Sequence, residues 1–357
     1  METIGERIRW ARKAARLSLR QLAQRIGVSY ESVRKYEQGV LVPSSEKLLA
    51  IARTLDKPVD FFRMSDMSIG TIEPVFRGHS CRTKRDEETI LAQIRDWLER
   101  YLTIEGVIEE RFHFRYPEGF PRTVRTYDEV EAAAEDLRQV WGLGIAPIAN
   151  LTATVEAYGI RVGEVPACEG FDACAFYIQN DENQPVIVVR HNIPGDRQRF
   201  SLAHALGHIL LRPESPLDEE QAAHRFAAAL LVPRTAVDRE LKGFPLSLAR
   251  LHTLKCIYGM SMQAWLRRAY ELGYLDSQAY KTWKKLFRAN DWYKKEPGWE
   301  APPERPPRLK RLVLEAYERE LITSSRASQL LGVSLQEFIA YFVEQQGDSP
   351  LSEVCLG

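Results

Sequence analysis

Between residues 199 and 211 the chain reads RFSLAHALGHILL, an apolar run that carries His204 and His208 four residues apart. On a helix, residues four apart share a face, so both imidazoles can reach one metal ion. Ala203, Leu206, Ile209 and Leu210 bury such a helix, and Gly207 leaves room for another backbone on the histidine side. A segment like this belongs in a core, with a second element packed against the histidines. The pair alone is a weak signal, since two partly buried histidines are the commoner explanation. The next helical stretch, Asp218–Leu231, changes that. It carries Glu220 and His224 four apart, just before the apolar run Phe226–Val232. A carboxylate added to two histidines makes a His-His-Glu set for Zn2+, with one coordination position left for water.

At 357 residues, two or three domains are expected. The pattern predicts an α+β fold, mostly helical, with strands confined to Ile160–Val165, Ala173–Gln179 and Pro185–Arg190. Asn180–Asn183 reads as a hairpin turn between the last two strands. A long helix is expected over about residues 86–111 and another over 127–141, with a short one over 147–158. Beyond residue 234 the pattern is helical, broken by a Pro-rich stretch at 297–307. Net charge is zero overall, but residues 1–63 hold 13 Lys/Arg against 7 Asp/Glu. A basic N-terminal end on a mildly acidic chain points to nucleic acid.

Within that basic end, Gln21-Leu22-Ala23, Gly27-Val28-Ser29, Val33, then Glu37 with Gly39, follow helix–turn–helix spacing. Ala23 is small where two helices cross, Gly27 permits the turn, and Val28 and Val33 anchor the second helix. Ser29, Tyr30, Glu31, Ser32, Arg34 and Lys35 are left facing outward, with Gln21 nearby. The first few are placed for base edges, and the basic pair for phosphates. The segment resembles the Cro/CI (XRE) type over residues 3–62. That resemblance implies a five-helix domain, a double-stranded DNA partner and, by family geometry, a homodimer on a palindromic site.

RFSLAHALGHILL followed by EEQAAHRFAAALLVP resembles the ImmA/IrrE family of zinc metallopeptidases. The resemblance implies a zincin-like domain with a small β-sheet. In it His204 and His208 ligate Zn2+, and Glu220 is the third ligand. His224 is the alternative to Glu220, as ligand or as a neighbour of the ligands, and Glu219 is a weaker alternative. By the same resemblance Gln184–Arg190 is an edge strand able to hold an extended substrate, and the substrate is a protein, with a repressor as the precedent. One motif position departs. Ala205 stands where the family has the glutamate that takes a proton from zinc-bound water. Without that base, turnover is expected to fall by roughly 10²–10⁴ or more. An alanine there reads either as a deliberate replacement in an otherwise intact motif, the favoured reading, or as a peptidase fold that keeps its metal for structure.

The expected boundaries are therefore a helix–turn–helix domain over 1–63, a linker over 64–85, a metallopeptidase domain over 86–240 and a helical C-terminal domain over 241–357. No apolar run approaches the roughly 18 residues of a membrane span, and the N-terminus has no apolar signal core. The five cysteines are scattered without a CxxC pair, so a reducing cytoplasm is the expected compartment. Tyr177, His191 and Arg199 are near enough in sequence to steady an oxyanion, though structural roles are the plainer reading. Ser325–Ser334 (SRASQLLGVS) has a helix–turn–helix look of its own, a weaker candidate for a second DNA contact.

Overall fold

The computed structural model describes residues 3–62, 75–77, 83–110, 113–178 and 184–347, and the chain divides into two compact units. The first unit is drawn from residues 1–70, 83–112 and 306–357, the second from 71–82 and 113–305. The hairpin turn expected at Asn180–Asn183 and most of the linker expected at 64–85 lie outside the described residues.

In the first unit, α1 (Ile4–Ala14), α2 (Leu19–Ile26), α3 (Tyr30–Glu37) and α4 (Ser45–Thr54) precede a 3₁₀ turn at Val59–Phe62. Thr3 with Glu6 and Ser18 with Gln21 form capping boxes on α1 and α2. Ser29 and Ser44 cap α3 and α4, and Gly27 ends α2 at φ 65°, where a side chain is strained. Ile8, Leu22, Ala23, Val33, Ile51 and Phe62 fill the core between these helices. Gly5 allows α1 to lie directly on the end of α3, since a Cβ there would stand 2.3 Å from the Tyr36 carbonyl oxygen. A long helix, α5 (Lys84–Ile108), is capped by Thr83 and packs along α1, where Gln93 Nε2 donates to the Ala14 carbonyl at 3.2 Å.

The second unit begins with β1 (Val75–Arg77) and continues with β2 (Arg122–Val124), α6 (Tyr127–Val140), α7 (Leu151–Ala157), β3 (Arg161–Val165), β4 (Ala173–Ile178) and β5 (Gln184–Arg190). Then come α8 (Gly195–Leu210), β6 (Leu211–Pro213), α9 (Glu219–Leu231), α10 (Arg234–Leu241), α11 (Leu248–Tyr258), α12 (Met262–Glu271) and α13 (Ser277–Ala289). Four strands pair in the order β1-β4-β5-β3, with β3 parallel and β4 antiparallel to β5. β2 and β6 form a separate parallel pair. Every residue of β5 but Arg190 is buried, as a central strand requires. The expectation that Gln184–Arg190 is an edge strand is corrected here: hydrogen bonds to β3 and β4 occupy both of its sides. The sheet edges are β1 and β3, and Val75–Arg77 covers only the first half of β4, Ala173–Ala175.

The chain returns to the first unit with α14 (Pro307–Glu318), α15 (Ser324–Leu331) and α16 (Leu335–Gly347). Leu312, Val313, Ala316, Ala327, Leu330 and Phe338 close on Ile104 and Ile108 of α5. The compact units thus cut the chain differently from the expected boundaries. The apolar face of α5 is used on α1 and α14. Leu251, Leu254, Met262 and Trp265, read as the start of a C-terminal domain, share the core of α8 and α9. No helix among the described residues is long and apolar enough to cross a membrane.

Candidate metal centre and nucleic-acid interface

Helix α8 is buried on nearly every side, the signature of a core helix. Its first turn has no side-chain cap. The segment after α13 is bound to it instead: Gly195 N donates to the Ala301 carbonyl at 2.7 Å, and Gln198 exchanges hydrogen bonds with the Glu304 backbone at 2.6 and 2.8 Å. Only glycine fits at 195, because a Cβ would stand 2.2 Å from the Pro302 carbonyl oxygen. Arg199, weighed as an oxyanion group, pairs with Glu304 and donates to the Ile148 carbonyl at 2.8 Å. It is a tie between α8, the approach to α7 and the Pro-rich segment.

Two helical turns on, α9 crosses α8 at Gly207, where a Cβ would lie 3.2 Å from Ala223 Cα. The close crossing brings four donor residues together. His204 Nε2 and His208 Nε2 are 3.0 Å apart. Glu220 places Oε2 3.3 Å from His204 Nε2 and Oε1 3.2 Å from His208 Nε2. His224 brings a ring nitrogen within 4.8 Å of the His204 and Glu220 donors. Glu219 sits elsewhere: its Oε1 is 3.2 Å from Nδ1 of His208, the nitrogen that does not face the cluster. A carboxylate there fixes the imidazole's tautomer and orientation. The His204 hydrogen bond, backed by the charge of all three histidines, holds the Glu220 carboxyl down at about 2.

These residues fit a divalent metal such as zinc. Tetrahedral bonds of about 2.0–2.1 Å set neighbouring donor atoms roughly 3.3 Å apart. The His204, His208 and Glu220 separations fall at or just inside that spacing. Two imidazole nitrogens 3.0 Å apart with a carboxylate across both could hold a cation. Ala205 is buried at 2% exposure and brings no titratable group. Tyr177 does not stand free for an oxyanion: its hydroxyl is 2.9 Å from that of Tyr116, and burial pushes its pKa up. His191 lies beside Arg305 and Glu164.

In the first unit, the residues expected at DNA are presented by α2 and α3. Ser29, Tyr30, Glu31, Arg34 and Lys35 are exposed, while Val33 behind them is fully buried. Ser29 Oγ accepts from Ser32 N at 3.1 Å, so part of this polar row is committed to capping. Gln21 likewise accepts from Ser18 N at 2.8 Å, and Glu31 lies 3.6 Å from Arg34. Glu37 faces inward, in a two-point pair with Arg12. The second helix–turn–helix look is also a real turn, with Gly332 at φ 71° between α15 and α16. Yet α16 holds no Lys or Arg, and Leu335, Ile339 and Val343 are exposed on it, which does not suit a phosphate backbone.

Residues 8–62 match the family described as Helix-turn-helix, and residues 155–270 match the IrrE N-terminal-like domain. The chain is 42% identical over 67 residues to an uncharacterized transcriptional regulator in the ATPase CF(0) region of Rhodospirillum rubrum, covering 19% of this chain and 61% of that protein. It is 39% identical over 56 residues to an uncharacterized HTH-type transcriptional regulator of Bacillus subtilis (strain 168), covering 16% and 50%. The chain thus spans between half and about three fifths of these curated relatives' length. Among solved structures, it is similar to the DNA-binding domain of the P22 c2 repressor, at 30% identity and TM-score 0.19 over 20% of this chain and 92% of that one.

Proposed function

We propose that this chain, in which a helix–turn–helix domain is joined to an IrrE N-terminal-like domain, is a DNA-binding transcriptional regulator whose peptidase-like domain holds a divalent metal without cutting protein. The helix–turn–helix match and the exposed row on α3 support double-stranded DNA as the partner. Arg34 and Lys35 would neutralise phosphates and Tyr30 would reach base edges, as a dimer on paired half-sites. In the second unit, His204, His208 and Glu220 would hold the metal, and Glu219 would orient His208. Zinc bound there would polarise an oxygen only where a coordination position stays open to it.

The observation that carries the reading is a converged donor set beside a position with no base. Peptide hydrolysis needs a group that removes a proton from water and returns it to the leaving amine. Neither Ala205 nor the committed neighbours offers one: Glu219 orients His208 and Glu220 faces both ring nitrogens. The repressor cleavage implied by the family resemblance is therefore left out of this reading.

Metal analysis of the purified chain tests it first, with about one zinc per chain expected and loss of that zinc in His204→Ala. A generic protease assay on labelled casein follows. The zinc-loaded chain is expected to be inert, and Ala205→Glu is the positive arm. Casein cleavage by the chain carrying Ala205 would overturn the non-cutting reading.

A further inference from the structure

We propose that His224 is a fourth metal donor, closing the centre with His204, His208 and Glu220 so that no position remains for water or substrate. This rests on the metal-holding reading above and decides what the metal is for. Glu220 and His224 are four apart on α9 and share a face, as His204 and His208 do on α8. The centre is therefore two pairs of donors on two crossing helices. His204 and Glu220 belong to both triples: with His208 the separations are 3.0–3.3 Å, and with His224 all donor atoms lie within 4.8 Å of one another. The His224 ring stands 4.5 Å from the His204 ring and 5.7 Å from Phe200, which backs it on the side of α8. Metal binding would draw a His224 ring nitrogen in to roughly 3.3 Å from the other donors.

The usual supporting role for a residue near a metal-bound histidine is to accept its outer ring N–H, and carboxylates and carbonyls do this. At His208 that role is filled by Glu219. A neutral imidazole is itself a good ligand for zinc or cobalt. Sites with four protein ligands are structural, whereas catalytic zinc keeps a position open. The alanine at 205 and the imidazole at 224 then have one explanation. With the water position closed, a base has nothing to act on, and the metal becomes a clamp between α8 and α9.

Cobalt substitution of the full chain tests this without any activity assay. Co2+ is loaded into the metal-free protein, and its visible absorption is followed while azide is added. A closed centre gives bands that azide does not move. His224→Asn is expected to hold Co2+ at least ~10-fold more weakly and to show bands that shift with azide. His224→Ala repeats the test without a side-chain amide, with folding of both variants checked by circular dichroism. Azide-responsive bands in the unmodified chain would overturn the inference while leaving the metal-holding reading intact. That arm needs no variant. Failure to take up either Co2+ or Zn2+ would instead remove the metal-holding reading, and this inference with it.

Discussion

Arg138 shows how much one buried cation can organise. Its guanidinium donates to three backbone carbonyls, those of Gly144 at 2.7 Å and of Leu230 and Ala146 at 2.5 Å each. Burial pushes its pKa down to about 10. Replacing it by methionine keeps much of the volume and orphans all three acceptors. Arg138→Met is therefore expected to destabilise the second unit by about 3 kcal/mol or more, read as a lower denaturant midpoint. Glu219 poses a different question, because it lies on the far nitrogen of His208 and is largely exposed. Glu219→Gln is expected to leave the fold unchanged and to weaken zinc binding by roughly 10–100-fold, measured by chelator competition. Unchanged affinity would mean that the 3.2 Å contact does not orient the ring.

At the scale of elements, the centre depends on how closely α8 and α9 cross. Gly207 sets that distance, since any Cβ would press on the α9 backbone at Ala223. Gly207→Val is expected to cost about 1–3 kcal/mol through overpacking. It should also weaken zinc, because His204 and His208 would be carried away from Glu220. Thermal melts with and without zinc separate the two effects: a lower Tm with an unchanged zinc increment would show that the crossing does not govern the site. In the first unit Gly5 has the same part between α1 and α3. Gly5→Ala forces backbone apart at the Tyr36 carbonyl, and a loss of at least ~1 kcal/mol in urea denaturation is expected.

For the whole molecule, charge is the useful variable. The chain is neutral overall, with its surplus of basic residues in the first 63. Binding to duplex DNA should therefore fall steeply with salt. Arg34→Ala with Lys35→Ala is expected to reduce the slope of log K against log salt by roughly 2, one per phosphate contact. An unchanged slope would place the phosphate contacts on other residues.

Much of this was legible in the sequence because local rules govern it. Helical periodicity, Ser and Thr caps and Gly27 determined α1–α4. The i,i+4 histidines in an apolar run marked α8 as buried and offered Glu220 or His224 of the next helix as the residue to meet them. The i,i+4 spacing to His224 favours Glu220 over Glu219, but spacing does not say what Glu219 does instead. Only the crossing at Gly207 turns one carboxylate toward both histidines and leaves the other on the outer nitrogen. The same holds for β5, whose apolar run suits an edge or a centre until its partners are known. It holds again for α5 and Leu251–Trp265, whose apolar faces show that they are buried but not against what. Periodicity records that a face leaves water. Which surface receives it is decided by long-range packing, and here that packing also brings the candidate metal donors together.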